Sequence, residues 1–189
     1  SGSLSNLRDC VRNVVTNSQS HEVDVSTDKI EVKPGKYVSA HLRVPQNSDV
    51  DVALVFTHPW AVMGGDMHNN VPLMLSRHFS HLGFTTVRFN FRHGTFSRGY
   101  SEIADVCDYH AKPSLCAAVV VIVMMFFYKE LLHIMLQVVG VCRHLENLPS
   151  PPKHILLVGY SYGSMITNAA ADELDSIKGF VGISTPFSV

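Results

Sequence analysis

Ile155-Leu156-Leu157-Val158-Gly159-Tyr160-Ser161-Tyr162-Gly163-Ser164-Met165 is the stretch that decides how this chain is read. The apolar run Ile155–Val158 suits a strand covered on both faces, and Met165–Leu174 reads as a helix. Between them, Gly159, Ser161 and Gly163 make a G-x-S-x-G pattern with a strand before it and a helix after it. A strand that turns straight into a helix sets Ser161 at a tight, strained corner, its hydroxyl projecting from the C-terminal edge of the sheet. Side chains two residues to either side would collide there, which accounts for both glycines. The new helix directs its N-terminal N–H groups at the same spot. The backbone N–H of Tyr162 is therefore available to an oxyanion forming on a substrate bound at Ser161.

Working outward, the same alternation of strand and helix recurs. Val52–Phe56 is another continuous apolar run, followed by a loop rich in Gly, Pro and Asn from His58 to Asn70. Val71, Leu75, Phe79 and Leu82 then repeat at helical spacing, and Gly83 stands where a helix ends. Thr85–Phe91 and Phe180–Ile183 read as further strands. Near the start, Val23, Val25, Ile30 and Val32 alternate with polar residues, Lys33-Pro34-Gly35-Lys36 makes a turn, and Val38–Val44 alternates again. The class is α/β: a mostly parallel sheet with helical crossovers behind an antiparallel N-terminal hairpin. His58 reads as a loop-ordering histidine bonded to backbone, in preference to a catalytic one.

Three ordered motifs carry a family likeness: His58-Pro59-Trp60-Ala61 with Gly64-Gly65-Asp66-Met67-His68-Asn69-Asn70, then Gly83-Phe84-Thr85-Thr86-Val87-Arg88-Phe89-Asn90-Phe91-Arg92, then the 159–163 turn. Together they resemble the α/β-hydrolase superfamily and, within it, the dienelactone-hydrolase-like and serine-aminopeptidase-like branch. The resemblance covers residues 22–105 and 138–187. It implies an α/β-hydrolase domain over 21–189, incomplete at the C-terminus, behind a flexible segment at 1–20. It also implies a serine hydrolase that cleaves an ester, thioester or amide by acyl transfer. In that fold the loop after Val52–Phe56 lies beside the nucleophile and supplies the second oxyanion donor. Here that is the N–H of Trp60 or Ala61, because Pro59 has none. The pocket would draw on the loops at 58–70 and 92–100, with His58, His68, His93 and Phe96 as candidate lining. Trp60, Tyr160 and Tyr162 would add an aromatic entrance.

The family's triad runs Ser, then Asp or Glu, then His. The last histidine here is His154, ahead of Ser161, and Asp172, Glu173 and Asp175 follow the serine too closely. Acid and base are therefore expected beyond Val189, and the fragment itself is expected to be inactive. A non-catalytic binding or scaffold module of the same fold is the competing expectation. One motif departs from the family: Arg92-His93-Gly94-Thr95-Phe96-Ser97 replaces an Arg-Gly-x-Gly-x-Ser segment.

Residues 106–137 interrupt the alternation with an apolar insertion, and three readings compete for it. A single membrane span over 115–139 would bury Lys129 and Glu130 in hydrocarbon, at a few kcal/mol each. The uninterrupted run Leu115–Phe127 is also shorter than the roughly 20 residues a bilayer needs. A buried or interfacial helix fits it better. The third reading is a retained intron or gene-model error: Val106-Cys107 can be encoded GTA-TGT and Leu136-Gln137 TTG-CAG, the marks of a splice donor and acceptor. Removing 106–137 joins Glu102–Asp105 to Val138–Leu145 as one amphipathic helix.

Composition narrows the function further. Of 189 residues 46% are apolar and 16% charged, with a formal charge of −1. That excludes a long disordered chain and leaves no field to attract nucleic acid or an anionic membrane. Cys10, Cys107, Cys116 and Cys142 are too scattered for a disulfide framework, so a reducing compartment is expected. Cys107, His110 and Cys116 lack a fourth zinc ligand, and Gly64-Gly65 lacks the Lys-Ser/Thr of a phosphate loop. No metal and no cofactor are expected. The expected partner is a small-molecule or acyl substrate, the expected location cytoplasmic, with a single-pass membrane protein as the alternative. No feature indicates an oligomeric state.

Overall fold

The computed structural model describes residues 23–46, 48–92 and 131–186. Strands β1 (Val23–Lys33) and β2 (Lys36–Pro45) form a long antiparallel hairpin. Its turn is closed by the Gly35 amide, which donates to the Glu31 carboxylate at 2.7 Å. In β2, Val38, Ala40 and Leu42 are buried on one face, while Tyr37 and Ser39 between and beside them are exposed. That period of two is what a half-covered antiparallel strand requires.

Four more strands complete a mixed sheet: β3 (Val52–Thr57), β4 (Thr85–Phe89), β5 (His154–Tyr160) and β6 (Ile177–Ile183). Their order is β1-β2-β4-β3-β5-β6. The β1–β2 and β2–β4 junctions are antiparallel; β4–β3, β3–β5 and β5–β6 are parallel. The sheet is thus mostly parallel behind an antiparallel hairpin, the class the sequence pattern predicts. All six residues of β3 are buried, because helices cover both of its faces. Ala53 and Val55 join a core with the hairpin and the helices that precede and follow β5; Val52, Leu54 and Phe56 join another with Phe84, Leu75, Phe79 and Leu82.

Helix α1 (Asn70–His81) crosses from β3 to β4. Its end is a Schellman motif. The Gly83 amide donates to Ser80 O at 3.1 Å and the Phe84 amide to Phe79 O at 3.1 Å. Gly83 holds φ 91°, a value open to glycine. The Phe79 and Phe84 rings meet edge to face at 5.5 Å, so the cap also seals the second core.

Helix α2 spans 131–146 and precedes β5. Residues 131–137, the last part of the 106–137 segment, run on into 138–146 without a break. Ile134 and Met135 pack in the same core as Val138, Val139, Val141 and Cys142. At Gly140 the helix backbone lies so close to β1 that a Cβ would come 2.6 Å from Val32 Cα. Position 137/138 is therefore no structural boundary, and the 131–139 end of the 115–139 stretch is core helix. Among the described residues no helix is long and apolar enough to cross a membrane. The remainder of the insertion, the segment 1–20, and Cys10, Cys107, His110 and Cys116 lie outside the described residues. Cys142 is a free, buried thiol, pushed up to about 12 by burial and then by Glu146.

Helix α3 (Tyr162–Ala170) crosses from β5 to β6. It begins three residues before the helix read at Met165–Leu174 and stops short of its end. Strand β6 likewise begins at Ile177, earlier than the expected Phe180. Ile177 is the buried residue that starts its pairing with β5, but Lys178 and Gly179 hide it from an apolar pattern. Strand β4 ends at Phe89, two residues before the expected Phe91. Beyond Phe89 the Asn90 amide donates to Ser39 O of β2, and the Phe91 amide donates to a histidine side chain.

Candidate active site

β5 turns into α3 at Ser161, which holds φ 52°, ψ −121°. Positive φ is costly for a residue with a Cβ, about 1–3 kcal/mol, and persists only where neighbours enforce it. They do so here. The Ser161 amide donates to Ile183 O at 2.8 Å, and its carbonyl accepts from the Ser164 amide at 2.9 Å and from Ser164 Oγ at 2.6 Å. The serine is half-buried at this corner. Glycines flank it for steric reasons. A Cβ at Gly159 would lie 2.4 Å from Ser164 Cα, and one at Gly163 2.5 Å from Thr57 Oγ1 and 2.7 Å from His58 O. Thr57 Oγ1 donates to Gly163 O at 3.0 Å, which ties the end of β3 to the start of α3.

That tie brings the loop after β3 alongside the corner. Trp60 precedes a single 3-10 turn, Ala61–Met63, and its carbonyl accepts from the Met63 and Gly65 amides at 3.0 Å each. The Trp60 and Tyr162 rings lie 6.1 Å apart. The Trp60 ring thus stands by the first residue of α3, next in sequence to Ser161. Gly65 is forced by contact: a Cβ there would sit 2.1 Å from Pro59 O.

The second half of the loop is held from β4 by groups that motif spacing alone does not identify. The Met67 amide donates to Asn90 Oδ1 at 2.8 Å, and Arg88 Nη1 donates to Met67 O at 3.1 Å. Locally, the Asp66 amide donates to Asn69 Oδ1 at 2.6 Å and the His68 amide to Asp66 Oδ1 at 2.7 Å. The Gly-Gly-Asp-Met-His-Asn and Arg-Phe-Asn segments are therefore two halves of one clamp. The signal was present in the sequence as two polar residues, Arg88 within β4 and Asn90 just past its end.

His58, expected as candidate pocket lining, is 2% exposed. Phe91 N–H donates to its Nε2 at 3.0 Å, so Nδ1 carries the proton and donates to Pro59 O at 2.6 Å. The ring packs on Phe91 at 4.3 Å. It orders the loop, as its backbone-bonded reading states, and both nitrogens are committed. His68 does line a cleft of about 370 Å³, with Gly64, Asp66, Asn69, Asn70, Val71 and Tyr160. This described wall is polar, with Tyr160 its one aromatic. His93 and Phe96 lie outside the described residues. His154 opens β5 and so stands at the opposite end of that strand from Ser161. Behind the clamp, burial and then the charges of Arg43 and Arg77 depress the Arg88 guanidinium, while Asp66 counters them. Among the described residues no group of His, Cys, Asp and Glu could hold a metal ion.

No protein-family model and no curated protein matches the sequence. Solved structures do match. An α/β serine hydrolase homologue from Coxiella burnetii aligns at 20% identity and a TM-score of 0.55, over 89% of this chain and 64% of that one. A dienelactone hydrolase from Anabaena variabilis aligns at 14% and 0.58, over 86% and 63%. An α/β serine hydrolase without lid from Xanthomonas campestris aligns at 21% and 0.53, over 89% and 62%. The chain spans about three-fifths of the length of these structures. At such identities the likeness is one of architecture, and by that architecture the chain has the α/β-hydrolase fold.

Proposed function

We propose that the chain is part of a serine hydrolase in which Ser161 attacks the carbonyl of a small ester, thioester or amide. The observation that carries this reading is the strained backbone of Ser161, φ 52°, at the junction of β5 and α3. A serine with a purely structural role has no need of such a corner. Attack would form the Oγ–acyl bond and push the carbonyl electrons onto oxygen. The Tyr162 N–H at the α3 N-terminus and the N–H of Trp60 or Ala61 would hold that oxyanion. One such donor is commonly worth about 10²–10³ in rate. The serine proton would pass to a general base, which returns it to the leaving group; water then releases the acyl group from Ser161. Neither His58, committed on both nitrogens, nor His154, at the far end of β5, fits as that base. The polar cleft beside Tyr160, with Asp66, His68 and Asn69, would receive the substrate's polar part.

The test uses the whole protein and a small activated ester such as p-nitrophenyl acetate. Ser161→Ala is expected to lower kcat/KM by about 10³-fold or more, with the folded state retained by circular dichroism. Undiminished turnover in the variant would refute the nucleophile. No turnover in either protein would favour the non-catalytic binding module.

A further inference from the structure

The face of the sheet under α1 carries a cationic row that the hydrolytic site does not use. His41 of β2 stands opposite Arg88 of β4, and Arg43 opposite Thr86 two positions along. These four residues share one face, because Ala40, Leu42, Val87 and Phe89 fill the core on the other. Thr86 Oγ1 donates to Ser76 O of α1 at 3.2 Å, which brings the exposed Arg77 next in sequence to the rim of the same face. Arg88 forms the floor. It is 3% exposed, and although Nη1 is used by Met67 O, its Nε has no hydrogen-bond partner. The buried Nε of Arg43 has none either.

Three neighbouring guanidiniums with Asp66 the one carboxylate acting on Arg88 are costly unless a further anion offsets them. Among the described residues the only ion pair is Lys153 with Asp51, before β5 and β3. The crowding is felt: burial and then Arg77 depress the Arg43 guanidinium, and burial followed by Arg88 and Arg43 lowers His41. Arginine, in contrast to lysine, offers a planar fork suited to two oxygens of one anion.

We propose that Arg43, Arg77 and Arg88, with His41 beside them, form a binding site for a phosphate group between α1 and β2, separate from Ser161. A phosphate dianion, with its double charge and several oxygens, matches three neighbouring guanidiniums better than a single carboxylate. The group could be free phosphate or the phosphoryl end of a small monoester.

Thermal unfolding of the full chain against inorganic phosphate and, separately, glycerol phosphate tests this, with sodium chloride at matched ionic strength as the reference. Wild type is expected to rise by about 3–5 °C per tenfold increase in phosphate once the site is saturated. Arg77→Gln, at the exposed rim, should move the midpoint concentration upward at least tenfold, and Arg43→Gln with Arg77→Gln should abolish the response. Lys178→Gln on the distant β6 should leave it intact. A larger response to glycerol phosphate identifies a ligand-borne phosphoryl group, an equal one the free ion. Phosphate that stabilises no more than chloride, or an undiminished response in the double variant, overturns the site. If the double variant fails to fold, phosphorus NMR line broadening with wild type and Arg77→Gln decides: no broadening, or broadening indifferent to Arg77, is equally fatal.

Discussion

Ser161 sits in a backbone conformation that only its surroundings sustain, and the cost is removable. Ser161→Gly drops the Cβ that makes φ 52° unfavourable. After the added chain entropy of glycine is offset, it should stabilise the fold by about 1 kcal/mol, measured by urea denaturation. Gly163→Ala works the other way. Its Cβ meets Thr57 Oγ1 and the His58 carbonyl, the latter backbone, so a loss of about 1–3 kcal/mol is expected. His58→Leu should cost a similar amount, because the buried Phe91 N–H loses its acceptor. The corner was legible in the sequence because its rule is local: two glycines and a serine within five residues satisfy the steric condition that this direct strand-to-helix turn imposes. The role of His58 divided along the same line. Its backbone bonding follows from its loop, whereas a place on a pocket wall depends on burial, which no local pattern reports.

Among the elements, strands and helices that alternate cleanly were legible and their ends were not. The hairpin, β3, α1 and β5 follow periodicity, and Gly83 marks the end of α1 correctly because only a left-handed residue completes the Schellman bonds. Gly83→Ala is accordingly expected to cost about 1–2 kcal/mol, read from denaturant midpoints. β6 and α3 were displaced by a few residues because pairing with β5 and the pull of the corner outweigh local pattern. The loop clamp was not legible as a device, since Arg88 and Asn90 reach Met67 across the gap between β4 and the β3 loop. Asn90→Leu leaves the Met67 amide unsatisfied, and its hydrogen exchange should speed up by roughly tenfold or more while the β3 amides keep their protection.

For the molecule as a whole, acid response follows from the cationic face. His41 is lowered below its ordinary value of 6.5 by burial and then by Arg88, Arg43, His68 and Arg77. On acidification the unfolded chain therefore takes up this proton first. The His41 contribution to stability is full above about pH 6.5 and is lost as pH falls from there toward the lower folded value. Urea midpoints should drop between pH 7.5 and 5.5, and His41→Gln should flatten part of that slope; an unchanged slope would remove His41 from the cause. The chain spans about three-fifths of the length of the solved structures it resembles, and activity is a property to measure on the whole protein. The most direct measurement is covalent labelling of that protein with a fluorophosphonate, followed by peptide mapping. One phosphonyl adduct on Ser161, absent from Ser161→Ala, is the predicted result; an adduct that persists in the variant, or a folded protein that takes no label, would contradict it.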